Sequence, residues 1–179
     1  MMKWQKRTIK WDKNFPITTR KGNNLFVANR GDVSFEYPSG WITKPSETSI
    51  CFYDAEPPAD QCVLEFSILP LQIDVDWGKV PLEEMLCQAV GGHAGKCDRA
   101  AIQTMERDDL KIVWMEYDFT DPIEKRLALS RCALAVKAAV LPLITFSFWP
   151  EEKKKWEPVW KDILETLRVG QGARFKERN

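Results

Sequence analysis

The sequence predicts an α+β domain in which one antiparallel sheet of about six or seven strands is flanked by helices. Three observations carry that expectation. Several segments alternate apolar and polar residues with period two, two others repeat apolar residues at helical spacing, and the later strand-like segments follow one another through short turns. Strands joined by short turns pair antiparallel. A doubly wound parallel sheet would need a crossover helix between strands, and this order does not supply one.

The first clear strand begins after Asp32, where Val33, Phe35 and Tyr37 alternate with Ser34 and Glu36 before the turn Pro38-Ser39-Gly40-Trp41. Ile50 and Phe52 mark a second short strand, and Glu56-Pro57-Pro58-Ala59-Asp60 breaks the chain after it. In the third, Cys62, Leu64, Phe66 and Ile68 alternate with Val63, Glu65 and Ser67 as far as Pro70. Pro81 then opens a helix whose Leu82, Met85, Leu86, Ala89 and Val90 share a face, with Glu83 and Glu84 favourably placed in its first turn and Gly91-Gly92 expected to stop it. Arg99 to Glu106 is expected to pair with Lys111 to Thr120, and Arg126 to Lys137 with Leu141 to Trp149. In the last of these, Ile144, Phe146 and Phe148 face one side and Thr145 and Ser147 the other.

Pro150 ends that strand, and Trp156, Val159, Trp160, Ile163, Leu164 and Leu167 follow at helical spacing. A proline inside a helix removes one backbone hydrogen bond and crowds the preceding turn. Pro158 therefore predicts either a helix start near Glu157 or a kink, and Gly170 and Gly172 lie just past the helix end.

With 179 residues, 44% of them hydrophobic, the chain suits one domain with a sizeable core. Residues 1–23 read as a basic, tryptophan-containing arm, 24–170 as the domain and 171–179 as a polar tail. Lys plus Arg balances Asp plus Glu at 26 each, but residues 1–21 hold seven basic residues and one acid, a net of +6, so the remainder carries 19 basic residues against 25 acids, or −6. No apolar run reaches the roughly 18–20 residues of a membrane-spanning helix, and the basic N-terminus lacks the apolar region of a secretory signal. The expected location is the cytoplasm. Five cysteines, an odd number in a chain able to fold without staples, are expected to be buried reduced thiols.

Val33-Ser34-Phe35-Glu36-Tyr37-Pro38-Ser39-Gly40-Trp41, the mid-chain helix, the meander of strands, and a strand ending Thr145-Phe146-Ser147-Phe148 before a terminal helix bearing Trp156, Glu157, Pro158, Val159, Ile163 and Leu167 form an ordered set. In that order they resemble the PsbP-like superfamily, named for an extrinsic subunit of photosystem II. The same fold includes a nuclear Ran-binding protein and bacterial relatives, among them chaperones for type VI secretion effectors. The resemblance covers about residues 24–169 and implies an α/β/α sandwich that binds other proteins without catalysis. It carries over no catalytic residue, and it transfers no location, because members occupy several compartments.

Chemistry-bearing clusters are few. Cys87, His93 and Cys97 are the only local group with metal-ligand or thiol–imidazole character, but the paired C-x2-C knuckle of a zinc site is missing and Cys87 lies beside the apolar helix face. His93 is the only histidine, so any His-activated thiol must use it. Gly91-Gly92-His93-Ala94-Gly95-Lys96 fails as a phosphate loop: Val90 stands where the first glycine belongs and Cys97 where Ser or Thr belongs. There is no Gly-x-Ser-x-Gly elbow, and Asp74, Asp76, Asp108 and Asp109 read as solvated loop and turn acids.

The expected function is therefore a non-catalytic protein-binding domain, an adaptor or chaperone, with no metal and no cofactor. Its partner is a protein or a second copy of the chain. The candidate contact residues are Trp77 and Trp149, beside loops and strand ends, together with Trp4 and Trp11 of the arm, because tryptophan is enriched at binding hot spots. Trp41, Trp114, Trp156 and Trp160 are assigned to the core. The alternative is a small-molecule carrier or an enzyme with its site around His93, Cys87 and Cys97. A third class, nucleic-acid or membrane contact through residues 1–21, follows from aromatics set among cations.

Overall fold

The computed structural model describes residues 18–70, 76, 79–94, 97–107 and 110–170, the side chains of 92–94 excepted. Ten strands form two antiparallel sheets. The larger has seven strands: β3 (Ile42–Pro45), β4 (Ile50–Tyr53), β5 (Cys62–Leu69), β6 (Gln103–Arg107), β7 (Leu110–Thr120), β8 (Leu127–Ala135) and β9 (Leu141–Phe148). Their spatial order is β3-β4-β5-β9-β8-β7-β6. The smaller sheet joins β1 (Asn23–Ala28), β2 (Val33–Pro38) and the two-residue β10 (Arg168–Val169) in the order β1-β2-β10. The described residues also form two α-helices, α1 (Leu82–Ala94) and α2 (Lys153–Thr166).

Alternation along each strand divides the core in two. On one face of the large sheet, Phe52, Leu64, Phe66, Ile112, Ile144, Phe146 and Phe148 meet α2 and the small sheet. From α2 come Trp156, Trp160, Ile163 and Leu164, all buried, which is the helical face expected from the sequence. Trp160 stacks on Phe146 with ring centroids 6.1 Å apart and meets Trp114 edge-on at 5.7 Å. Phe26 and Phe35 of the small sheet bring their rings within 5.0 Å of each other and pack on Phe52 and Phe66. Trp41 and Trp114 sit at the margin of this cluster, partly buried. On the opposite face, Leu82, Leu86 and Val90 of α1 pack on Val113, Met115, Cys132, Leu134 and Leu141.

Several local features differ from expectation. The small sheet was not foreseen, since β1 has no clean period and β10 is two residues long. Segment 99–101 is a 3-10 turn rather than strand, and β6 begins at Gln103. The α1 helix continues through Gly91 to Ala94 instead of stopping there, so packing of its apolar face outweighs the ~1 kcal/mol per-residue penalty of glycine in a helix. The α2 helix starts at Lys153, after a 3-10 turn over Pro150–Glu152, and is continuous across Pro158. One lost backbone bond is outweighed by the buried Trp156, Trp160, Ile163 and Leu164. Its last carbonyls, those of Glu165 and Leu167, accept from the Arg107 guanidinium, which ties the end of β6 to the helix terminus. Past the helix, Gly170 adopts φ +65°, and a Cβ there would lie 2.8 Å from the Ala138 Cβ. Glycine is required by both backbone and space.

Candidate functional site: a half-covered polar sheet face

The α2 side of the large sheet is filled, whereas α1 lies over β7 and β8 and, among the described residues, leaves the neighbouring face over β9 and β5 partly uncovered. Register places the polar residues of four strands in line there. Tyr117 of β7 is opposite Ser130 of β8, which is opposite Ser147 of β9. The next rung runs Cys132, Thr145, Glu65 and Cys51 across β8, β9, β5 and β4. With Ser67, Leu143, Phe119 and Ala89 of α1, these residues other than Cys51 enclose a groove of ≈ 290 Å³.

The groove floor is a built structure. Ser130 and Cys132 are 2% and 1% exposed. The Ser147 hydroxyl donates to Ser130 Oγ at 3.0 Å. Burial raises the Tyr117 phenol above its usual range, outweighing a hydrogen bond with Ser130 that acts in the other direction. Burial also pushes the Cys132 thiol up to about 12, which leaves it protonated and a poor nucleophile near neutral pH. Cys62 is shifted in the same direction by burial but belongs to the other face. Serine and threonine hydroxyls line the cleft beside the Glu65 carboxylate, and no histidine is among the groove's lining residues.

The residues singled out by sequence are distributed elsewhere. Trp4, Trp11 and Trp77 lie outside the described residues. Trp149, half-buried, follows β9, and the Arg126 guanidinium sits 3.5 Å from its ring centroid while also pairing with Glu151 at 3.2 Å. The expectation of five reduced cysteines is corrected: Cys87 and Cys97 form a disulfide with Cα atoms 5.3 Å apart, leaving Cys51, Cys62 and Cys132 free. The odd count argued against a full disulfide framework, but it left room for one pair. With both sulfurs bonded to each other, neither is a thiolate for metal or substrate, and the His93 side chain lies outside the described residues. The groove itself was missed because Glu65, Ser67, Thr145 and Ser147 read as the solvent side of alternating strands. Their convergence depends on register, and the only available signal was their small hydroxyl character on one side of consecutive strands.

A second polar cluster lies on the filled face. Arg131 is 1% exposed, donates from Nε to Glu116 at 2.9 Å, pairs with Glu157 of α2, and has its guanidinium 5.3 Å from the Phe148 ring centroid. Lys153 also pairs with Glu116. Burial alone would raise the Glu116 carboxyl, but hydrogen bonds from Lys153 and Arg131 outweigh it and hold the group below its ordinary value of 4.5. These charges join helix to sheet and face no cleft.

No helix among the described residues is long and apolar enough to cross a membrane. Comparison with known proteins places the architecture. The chain is 34% identical to the uncharacterized protein alr1449 of Nostoc sp. (strain PCC 7120) over 171 residues, covering 94% of this chain and 88% of the relative. Its fold matches cyanobacterial PsbP (CyanoP) from Synechocystis sp. PCC 6803 with TM-score 0.60 and 13% identity, over 85% of this chain and 95% of that one. The Saccharomyces cerevisiae Ran-binding protein Mog1p matches with TM-score 0.54 and 11% identity, over 82% and 95%. A Bacteroides thetaiotaomicron structure matches at TM-score 0.59 and 14% identity over 83% of this chain, which spans 48% of that longer protein. The PsbP-like α+β sandwich expected from the resemblance is the observed fold. With the Alr1449 family matching residues 24–172, the chain belongs to the Alr1449 family.

Proposed function

We propose that this protein is a non-catalytic binding module whose open sheet face receives a segment of a partner protein. The observation that carries this reading is the asymmetry of the large sheet: one face is filled by α2 and the small sheet, and the other leaves a structured, hydroxyl-lined groove beside α1. A Ran-binding protein among the fold's members supports a role in protein recognition. The groove lies at the small end of the range for ligand sites, roughly 300–1,000 Å³, so it suits one or two side chains of a bound segment.

The test is affinity capture from native lysate with wild-type protein, a Thr145→Trp variant that fills the groove, and a Lys154→Glu variant on the exposed surface of α2. One stoichiometric protein, held by wild type and Lys154→Glu and lost with Thr145→Trp, is the expected result. Equal capture by all three moves binding off this face, and no capture by any overturns the module. The cytoplasmic setting belongs to the same proposal and has its own check. Fractionation of native cells should recover the protein with cytoplasmic markers, and recovery with a membrane or exported fraction overturns that setting.

A further inference from the structure

We propose that the groove recognises a basic side chain, a lysine ammonium or an arginine guanidinium presented by the partner segment, with the Glu65 carboxylate as its ion partner. The inference rests on the binding-module reading and specifies its chemistry. Among the charged types, the groove lining contains one residue, Glu65, an exposed carboxylate that forms no ion pair among the described residues. The cation nearest along the same rung, Lys44, lies two strands away and pairs with Glu56. Among the described residues the charge of the groove lining is therefore negative. Tyr53, on the same open face beyond β5, responds to it: burial first, then Cys51, and then the carboxylates of Asp60 and Glu65 push its phenol up to about 12.

The remaining walls match the two parts of such a side chain. Ala89, Leu143 and Phe119 supply apolar surface for a methylene stem. Ser67, Thr145 and Ser147 supply hydroxyl oxygens that accept from N–H donors, and neither an ammonium nor a guanidinium has an acceptor to be left unsatisfied. An acidic side chain would meet Glu65 with like charge, and a purely aliphatic one would strip water from the hydroxyls without replacing their hydrogen bonds. The same face of the sheet continues over β4 through the half-buried Cys51 and Tyr53.

The experiment titrates 15N-labelled full-length protein with Ac-Gly-Arg-Gly-NH2, Ac-Gly-Lys-Gly-NH2, Ac-Gly-norleucine-Gly-NH2, Ac-Gly-Glu-Gly-NH2 and spermidine, following amide shifts at low ionic strength. Shifts at Glu65, Ser67, Thr145 and Ser147 with the Arg and Lys peptides, weakened about fivefold by Glu65→Gln and by added salt, are expected. Glu65 is exposed, so this isostere leaves the fold intact, and an unchanged spectrum outside the groove verifies it. Equal binding of the norleucine or Glu peptide, shifts confined to another surface, no shift at all, or binding of spermidine without the peptides each overturns the inference. If Thr145→Trp still abolishes partner capture while the peptides show no preference for cations, this inference fails and the binding module stands.

Discussion

The two faces of the seven-stranded sheet are built from the same strands and differ in almost every physical respect. On the α2 side, large rings and branched aliphatics fill the space, and the buried cation Arg131 is held by two carboxylates. On the α1 side a smaller apolar cluster ends in a patch of serine, threonine and tyrosine hydroxyls, with a disulfide bracing the covering helix. The comparison separates apolar packing from polar lining. Both the α2 side and the α1 cluster bury apolar residues that hold the fold, and the hydroxyl-lined groove adds little apolar burial to either.

Truncation across the sheet should show this contrast most sharply. Trp160→Ala, which removes a ring stacked between sheet and helix, should cost about 3–5 kcal/mol in urea unfolding. Thr145→Ala in the groove should cost less than about 1 kcal/mol. Comparable losses at the two positions would dissolve the division of labour.

Reduction of Cys87–Cys97 should come next. The bridge spans a sequence separation of 10, for which loop-closure entropy gives roughly 2.5–3 kcal/mol. Calorimetry with and without reductant should lower Tm, and a Cys87→Ser/Cys97→Ser double variant should be insensitive to reductant. The groove amides, next to α1, should shift on reduction more than those of β1 and β2.

The charge cluster on the filled face predicts a pH signature. Because the folded pKa of Glu116 is depressed, its stabilisation is fully present above the unfolded value near 4.5 and is lost as pH falls through the folded one. Glu116→Gln should cost about 1.5–3 kcal/mol at neutral pH and flatten the acid limb of the stability profile. An acid limb identical to that of wild type would remove Glu116 from this role. The smallest effect is expected at Ser147→Ala, which breaks the bond to Ser130 and should cost about 0.5–1 kcal/mol.

The same asymmetry explains what the sequence disclosed. Alternation in Cys62–Leu69 and Leu141–Phe148 and helical spacing in 153–167 made the filled face readable, since buried apolar residues leave a periodic trace. By contrast, β1 depends on pairing Phe26 with Phe35, and β10 on two bonded residues after a helix, so their strand character is supplied by β2. The groove was invisible for a different reason. Thr145 and Ser147 were recognised as the polar face of β9, but meeting Glu65, Ser130 and Tyr117 requires knowing which strands are neighbours and in what register. Tryptophan content drew attention to Trp149, whose face is covered by Arg126, and local cysteine spacing drew it to a pair that bond to each other.

Both ends of the described chain are fastened to the same layer. Arg20 pairs with Asp162 and Glu165 of α2, and the Gly170 amide donates to the Asp32 carbonyl at 2.7 Å beside the small sheet. The large sheet thus acts as a partition, with the handles on one side and the groove on the other. A dye, a surface linker or a fused domain joined to the described fold at either end starts from the side away from the groove. Immobilised through those handles, the protein presents its groove face outward.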